Sequence, residues 1–204
     1  SFLDWIGAYS FATAIIGALY HRDRTGRGQG IDSSQCESGM FLKPVPILDW
    51  SANGREWRRI GNRSPYKPAA PHGAYRCAGE DRWIAIAVRN DAEWQAMVRA
   101  MGEPAWATAA RFATNTGRLE HEEDLDAGIA TWTSAREDYA VMRALQAAGV
   151  PAGVCQTPGD RAERDEQLRA RGWWHTMPHA ELGEASEFEG VTPRLSLTPG
   201  TLRT

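Results

Sequence analysis

The sequence predicts a mixed α/β chain, and three observations carry that prediction. An apolar stretch rich in small residues opens the chain and reads as a helix. Two short apolar segments separated by a turn lie at 73–88. Four helical segments and a short strand follow them. The order is helix, strands, helices, strand, with no internal repeat.

The first helix is predicted over 4–22. Asp4 sits where a carboxylate meets the free N–H groups and positive end of a helix, and Arg22 and Arg24 suit its other end. Ile6, Phe11, Ala14, Ile15, Ala18 and Leu19 place apolar surface on most sides, as in a buried helix. Gly7, Ala8, Ala12 and Gly17 permit close packing. The apolar run Ile6–Tyr20 is broken by Gly7, Ser10, Thr13 and Gly17 and is shorter than the roughly 20 residues of a bilayer span. No membrane association is therefore expected. Thr25-Gly26-Arg27-Gly28-Gln29-Gly30 reads as a structural turn: it follows a helix and lacks the GK[ST] of a phosphate loop.

Ile31–Ser34 is expected to be a short strand or the lead into a second helix. That helix runs from about Ser34 to Leu42, with Glu37 in capping-box spacing. Residues 43–72 are spaced by proline and glycine and predict an extended connection, in which Trp50 and Trp57 are candidates for an aromatic substrate wall. Ala74–Ala78 and Trp83–Val88 are predicted strands joined by Gly79-Glu80-Asp81-Arg82. Helices are expected at 91–101, within 107–113, at 118–133 and at 136–148, the last ending at Gly149 before Pro151. A short strand at 151–155, a charged helix at 158–171 and a final strand at 191–197 complete the chain. Trp83, Trp94, Trp106 and Trp132 are read as core or interface anchors.

Composition narrows the function. The 204 residues carry a net charge of −3, which gives no broad basic surface for nucleic acid. Three cysteines with no CxxC pair give neither a disulfide framework nor a zinc knuckle, and reduced thiols in a cytoplasmic protein are expected. Among the histidines, His175 and His179 are four apart but separated by Pro178, so no metal site is expected. The chain opens on Ser1-Phe2-Leu3-Asp4 without a methionine or a basic leader, as a sequence that begins within a fold does.

One string is specific. His21-Arg22-Asp23-Arg24-Thr25-Gly26-Arg27-Gly28-Gln29 lies about five helical turns after Asp4. Ile31-Asp32-Ser33-Ser34-Gln35-Cys36-Glu37 follows it. With Gly61-Asn62-Arg63, Pro71-His72-Gly73-Ala74-Tyr75-Arg76, Trp83–Ala87, Met101-Gly102 and Gly149–Gly153, these residues resemble the family III CoA-transferases over nearly the whole chain. That CaiB/BaiF group includes formyl-CoA, carnitine and benzylsuccinate CoA-transferases and α-methylacyl-CoA racemase.

The resemblance implies a fold in which a Rossmann-like large domain and a small α/β domain form an interlocked dimer. Residues 1–42 and 151–204 then belong to the large domain, 43–72 to a linker and 73–150 to the small domain. It further implies a transferase in which Asp4 is the nucleophile and passes through an aspartyl-CoA thioester. Acyl-CoA and a small carboxylic acid are the implied substrates, with no cofactor beyond the coenzyme A thioester. Arg63 and His72 are the implied contacts to substrate or CoA. The partner is a second copy or a chain supplying the N-terminal lobe. Two alternatives stand beside this reading: an acyl-CoA racemase of the same superfamily, or a truncated accessory subunit. Where such racemases carry a glutamate after the second small-domain strand, this sequence has Asn90, followed by Asp91. By itself Asp4 also reads as a helix N-cap, worth about 1 kcal/mol.

Overall fold

The computed structural model describes residues 2–63, 65–183 and 185–202. It divides into two compact units, residues 1–60 and 61–204.

The first unit is helical. α1 (Phe2–Thr25) contains no proline, carries Asp4 in its first turn and Arg22 and Arg24 in its last. It ends where Gly26 adopts φ +72°, a left-handed conformation that glycine reaches without strain. The Gly26 N–H closes on the Arg22 carbonyl at 2.7 Å. The glycine string is thus a helix terminator. α2 (Gln35–Leu42) begins at Ser34, whose hydroxyl accepts the Glu37 N–H at 3.2 Å. α2 packs on α1. Glycines set that approach: Gly39 lies against Leu3, and a Cβ on Gly7 would stand 2.7 Å from Gln35 Cγ.

Three expectations for this unit are corrected. α1 has no buried residue, although the sequence marks it as a core helix. α2 covers one stripe of it, and Phe2, Trp5, Tyr9, Ile16 and Tyr20 are exposed. Because the helix continues through both ends of the apolar run, it is long and apolar enough to cross a membrane by length and composition. Of the two readings of residues 31–34, the structure shows the lead into α2, capped at Ser34, and not the strand. The connection contains α3 (Pro44–Asn53), because Pro44 and Pro46 fall in the first turn, where no intrahelical N–H bond is lost. Trp50 and Trp57 are exposed.

The second unit is built on a three-stranded antiparallel sheet in the order β1 (His72–Arg76), β2 (Trp83–Ala87), β3 (Ala152–Val154). The β1–β2 turn uses positive φ at Gly79 and Asp81. β3 closes the same sheet, so the expected boundary at 150/151 lies at its edge. Side chains alternate across it. Tyr75, Ile84 and Ile86 are buried, and Ala74 and Ala85 lie on the other face and are exposed.

Helices α4 (Asp91–Ala100), α5 (Asn115–Glu120), α6 (Glu122–Ser134) and α7 (Asp138–Ala147) follow β2. The expected helix at 118–133 is split at His121, and 107–113 holds a 3-10 turn at Ala110–Phe112. Trp94, Met97, Leu125, Ile129 and Leu145 form the core with the buried sheet face. Trp94, Trp106 and Phe112 pack as a tilted ring cluster with centroids 6.2–6.4 Å apart. Trp132 is also buried.

Polar pins hold this core. The buried Arg118 donates to the carbonyls of Ala70 and Phe112 and to Asp91. Arg82 reaches Asp138 and Asp160 at 2.6 Å each.

The charged segment at 158–171 is two helices, α8 (Pro158–Glu163) and α9 (Glu166–Ala170), because Asp165 starts the second by accepting the Leu168 N–H. The final strand is not at 191–197, a stretch interrupted by Pro193. The extended structure is instead a hairpin, β4 (Trp174–Pro178) with β5 (Ala185–Glu189). Arg203 and Thr204, the end of the expected return to the large domain, lie outside the described residues.

Candidate active site

Asp4 owes its setting to three local facts. It lies in the first turn of α1, where free backbone N–H groups favour a carboxylate. The Ser34 cap fixes the start of α2 and makes Gln35 its first residue. Gly7, lacking a Cβ, lets Gln35 cross α1 closely enough for its Nε2 to donate to Asp4 Oδ1 at 2.8 Å. The carboxylate is exposed and oriented. Gln35 was not singled out from the sequence, although it lies within the string that carries the resemblance; only the helix crossing shows its role.

Arg22 and Arg24 are engaged locally, with Asp23 at 2.8 Å and with the Tyr20 hydroxyl at 2.9 Å.

In the second unit the exposed face of the sheet forms the floor of a cleft of about 680 Å³, a size that suits a small ligand. Ala74 pairs with Ala85, and Ala85 with Gly153, so a flat row of small residues crosses all three strands. His72, Asn62, Gln146 and Cys155 supply the polar groups at its margins. His72 Nδ1 lies 2.5 Å from the Asn62 carbonyl. A carbonyl only accepts, so Nδ1 is the donor in this contact and Nε2 is left to face other groups. Among the described residues, no Arg or Lys lines the cleft.

The two residues expected to touch substrate are separated. His72 lines the cleft. Arg63 pairs with Glu122 at 2.8 Å and lines a different, acidic depression with Glu123 and Asp124. Asn62, Gln146 and Cys155 were not chosen from the sequence, since residues 62, 146 and 155 converge only when β3 joins the sheet.

Asn90 and Asp91 both have structural tasks. Asn90 caps α4, accepting the Glu93 N–H and donating to the Glu93 carboxylate, both at 2.9 Å. Asp91 pairs with Arg118 at 3.0 Å. Among the described residues, no group of three or more His, Cys, Asp and Glu side chains is arranged to hold a metal ion.

The model of the family "CoA-transferase family III" matches residues 1–204. The chain is 33% identical over 197 residues to the succinyl-CoA–D-citramalate CoA-transferase of Chloroflexus aurantiacus, covering 97% of this chain and 48% of that protein. It is 29% identical over 201 residues to the beta subunit of succinyl-CoA–L-malate CoA-transferase from the same organism, covering 98% and 49%. A crystal structure of a CAIB/BAIF family protein from Brucella suis superposes with a TM-score of 0.82 at 27% identity, over 97% of this chain and 50% of that one. The chain therefore spans about half the length of these relatives. With its α/β architecture and its full-length match, this chain belongs to CoA-transferase family III.

Proposed function

We propose that this chain carries the nucleophile of an enzyme that moves coenzyme A from an acyl-CoA to a carboxylic acid. Asp4 is that nucleophile. The observation that carries the reading is the exposed Asp4 carboxylate held by Gln35 at 2.8 Å in the first turn of α1.

An Asp4 oxygen attacks the thioester carbonyl; the C–S bond breaks and CoA leaves as thiolate, giving an acyl-aspartyl anhydride. The thiolate then attacks the aspartyl carbonyl, and the donor acid departs as its carboxylate. The resulting aspartyl-CoA thioester is opened by the acceptor carboxylate, and the returning thiolate takes the acceptor's acyl group. Asp4 is regenerated, and the cycle consumes no metal or redox cofactor. The N–H groups of the first turn of α1 supply donors near the charge that develops.

Transfer is preferred to racemisation because the position expected to exchange a proton is Asn90, an amide already used as a cap. Asp91 is held by Arg118. Succinyl-CoA is the donor to try first, since both Chloroflexus relatives are named for it. We assign residues 1–42 and 151–204 to a large domain and 73–150 to a small one. Protein, not lipid, then covers α1, in a cytoplasmic dimer or heteromer. The relative named as a beta subunit supports a multi-chain assembly. His72 is the substrate contact in the cleft. Arg63 remains a candidate only if it leaves Glu122.

The purified chain, alone and with a candidate complementary chain, is incubated with succinyl-CoA and then hydroxylamine. An aspartyl hydroxamate at Asp4, found by peptide mass analysis, is expected. Its absence in every assembly that binds acyl-CoA would favour an accessory subunit, and loss of an α-proton to deuterated water without an acceptor acid would favour racemisation.

A further inference from the structure

At the base of the β4–β5 hairpin lies a second cavity, of about 300 Å³, lined among others by Arg171, Trp173, His175, Gly190, Arg194 and Gly200. Its wall is a loop closed on itself. The chain leaves β5, turns through Pro193 and Pro199, and returns so near its start that a Cβ on Gly200 would stand 2.9 Å from Val191 Cγ1. At Gly190 a Cβ would stand 2.7 Å from the Trp173 carbonyl and 2.9 Å from His175 Nε2. Both glycines are required by the closure, a short compact loop of the kind that often carries a binding function.

The charge in this cavity is one-sided. Among the described residues, no Asp or Glu lines it. Glu189, the nearest acidic residue along the hairpin, is paired with Arg161 at 3.1 Å. Arg171 donates Nη2 to the Thr192 carbonyl at 3.3 Å and has no carboxylate partner among the described residues. Arg194 has neither an ion pair nor a hydrogen bond among them. The indole Nε1 of Trp173 is buried without an acceptor. In a chain of net charge −3, two guanidinium groups have gathered without a counter-ion while an indole N–H is unsatisfied. A guanidinium fork matches the planar edge of a carboxylate or the oxygens of a phosphate.

We propose that this cavity binds a small oxyanion, phosphate or carboxylate, through Arg194 and Arg171. Asp4 is not among its lining residues, and the proposal does not depend on the transferase reading. Isothermal titration calorimetry of the full chain at low ionic strength, with inorganic phosphate and separately with succinate, tests it. At least one anion should bind saturably at one site, and Arg194→Gln and Arg171→Gln should each weaken it roughly tenfold or more. Circular dichroism checks that both variants fold, and exposed Arg194 is the safer of the two. Phosphate alone would identify a phosphoryl group, succinate alone a carboxylate, and both the shared chemistry. Absence of saturable binding by either anion overturns the proposal, as does unchanged affinity in folded Arg194→Gln. Loss of binding in Asp4→Asn also overturns it, because the anion would then be reporting the other site.

Discussion

Gln35 Nε2 donates to Asp4 Oδ1 at 2.8 Å across the crossing of α1 and α2. The contact joins residues 31 apart in sequence. Gly7 permits it, since a Cβ there would meet Gln35 Cγ at 2.7 Å. Gln35 thus acts as a positioning residue for the proposed nucleophile. Gln35→Leu should slow hydroxamate formation at Asp4 by roughly 10- to 100-fold, because misplacing a reacting group by an ångström costs that much. Gly7→Ala should have a similar effect by pushing Gln35 away. Unchanged rates in both variants would show that Asp4 needs no such support.

Replacing the carboxylate itself should be far more severe. Asp4→Asn should lower acyl transfer by at least about 10³-fold, as expected when a nucleophile is removed. Helix content by circular dichroism should be unchanged, since the amide can still cap the exposed first turn. Residual transfer within tenfold of the original rate would remove Asp4 from the mechanism.

The cleft offers a test that spares the core. Nothing lies within 4 Å of a Cβ placed on Gly153, so a side chain there projects into open space on the exposed sheet face. Gly153→Leu should leave thermal stability nearly unchanged and fill the cleft floor. If His72 and this floor touch substrate, acyl-CoA affinity falls roughly tenfold. An unaltered acyl-CoA dissociation constant would mean that the cleft serves another ligand.

The Arg82 pin predicts both a stability loss and a pH dependence. Arg82→Met leaves Asp138 without its cation and Asp160 with only Arg164, at 3.7 Å, and should cost about 3–5 kcal/mol by urea denaturation. The Asp160 carboxyl is held at about 2, chiefly by the hydrogen bond from Arg82 and then by the Thr157 N–H and hydroxyl. A carboxyl depressed in the folded state stabilises it above the unfolded value near 4, and that contribution is lost as pH falls toward about 2. The unsubstituted chain should therefore lose more stability between pH 5 and about 2 than Asp160→Asn does.

The cysteines separate by exposure. Cys36 and Cys155 are exposed, whereas Cys77 is buried, and burial pushes its thiol up to about 11. A thiol reagent at neutral pH should label Cys36 and Cys155 rapidly and Cys77 only after unfolding. Rapid labelling of Cys77 would mean that the sheet opens locally.

Much of the local structure was legible because its causes are local. Ser34 with Glu37 three residues on, Gly79 between two apolar segments, and Gly149 before Pro151 each mark an element boundary through hydrogen bonds that nearby residues must satisfy. The errors arose where position within an element mattered. Two prolines that look like a connection are harmless in the first turn of α3. Pro178 ends β4, yet its neighbours Trp174 to Met177 pair with β5, because a strand is stabilised by a partner that the local sequence does not reveal.

The sequence by itself determined the family, through a string of residues following Asp4, and pointed to Asp4 as the candidate nucleophile. Only the tertiary structure decided what surrounds the candidate groups. It paired Gln35 with Asp4, placed His72 in a cleft and took Arg63 elsewhere, and gathered Arg171 and Arg194 around one cavity. The physical reason is that propensity and capping act over a few residues. A hydrogen bond between residues distant in sequence, or a shared cavity, exists only after helices cross and strands pair.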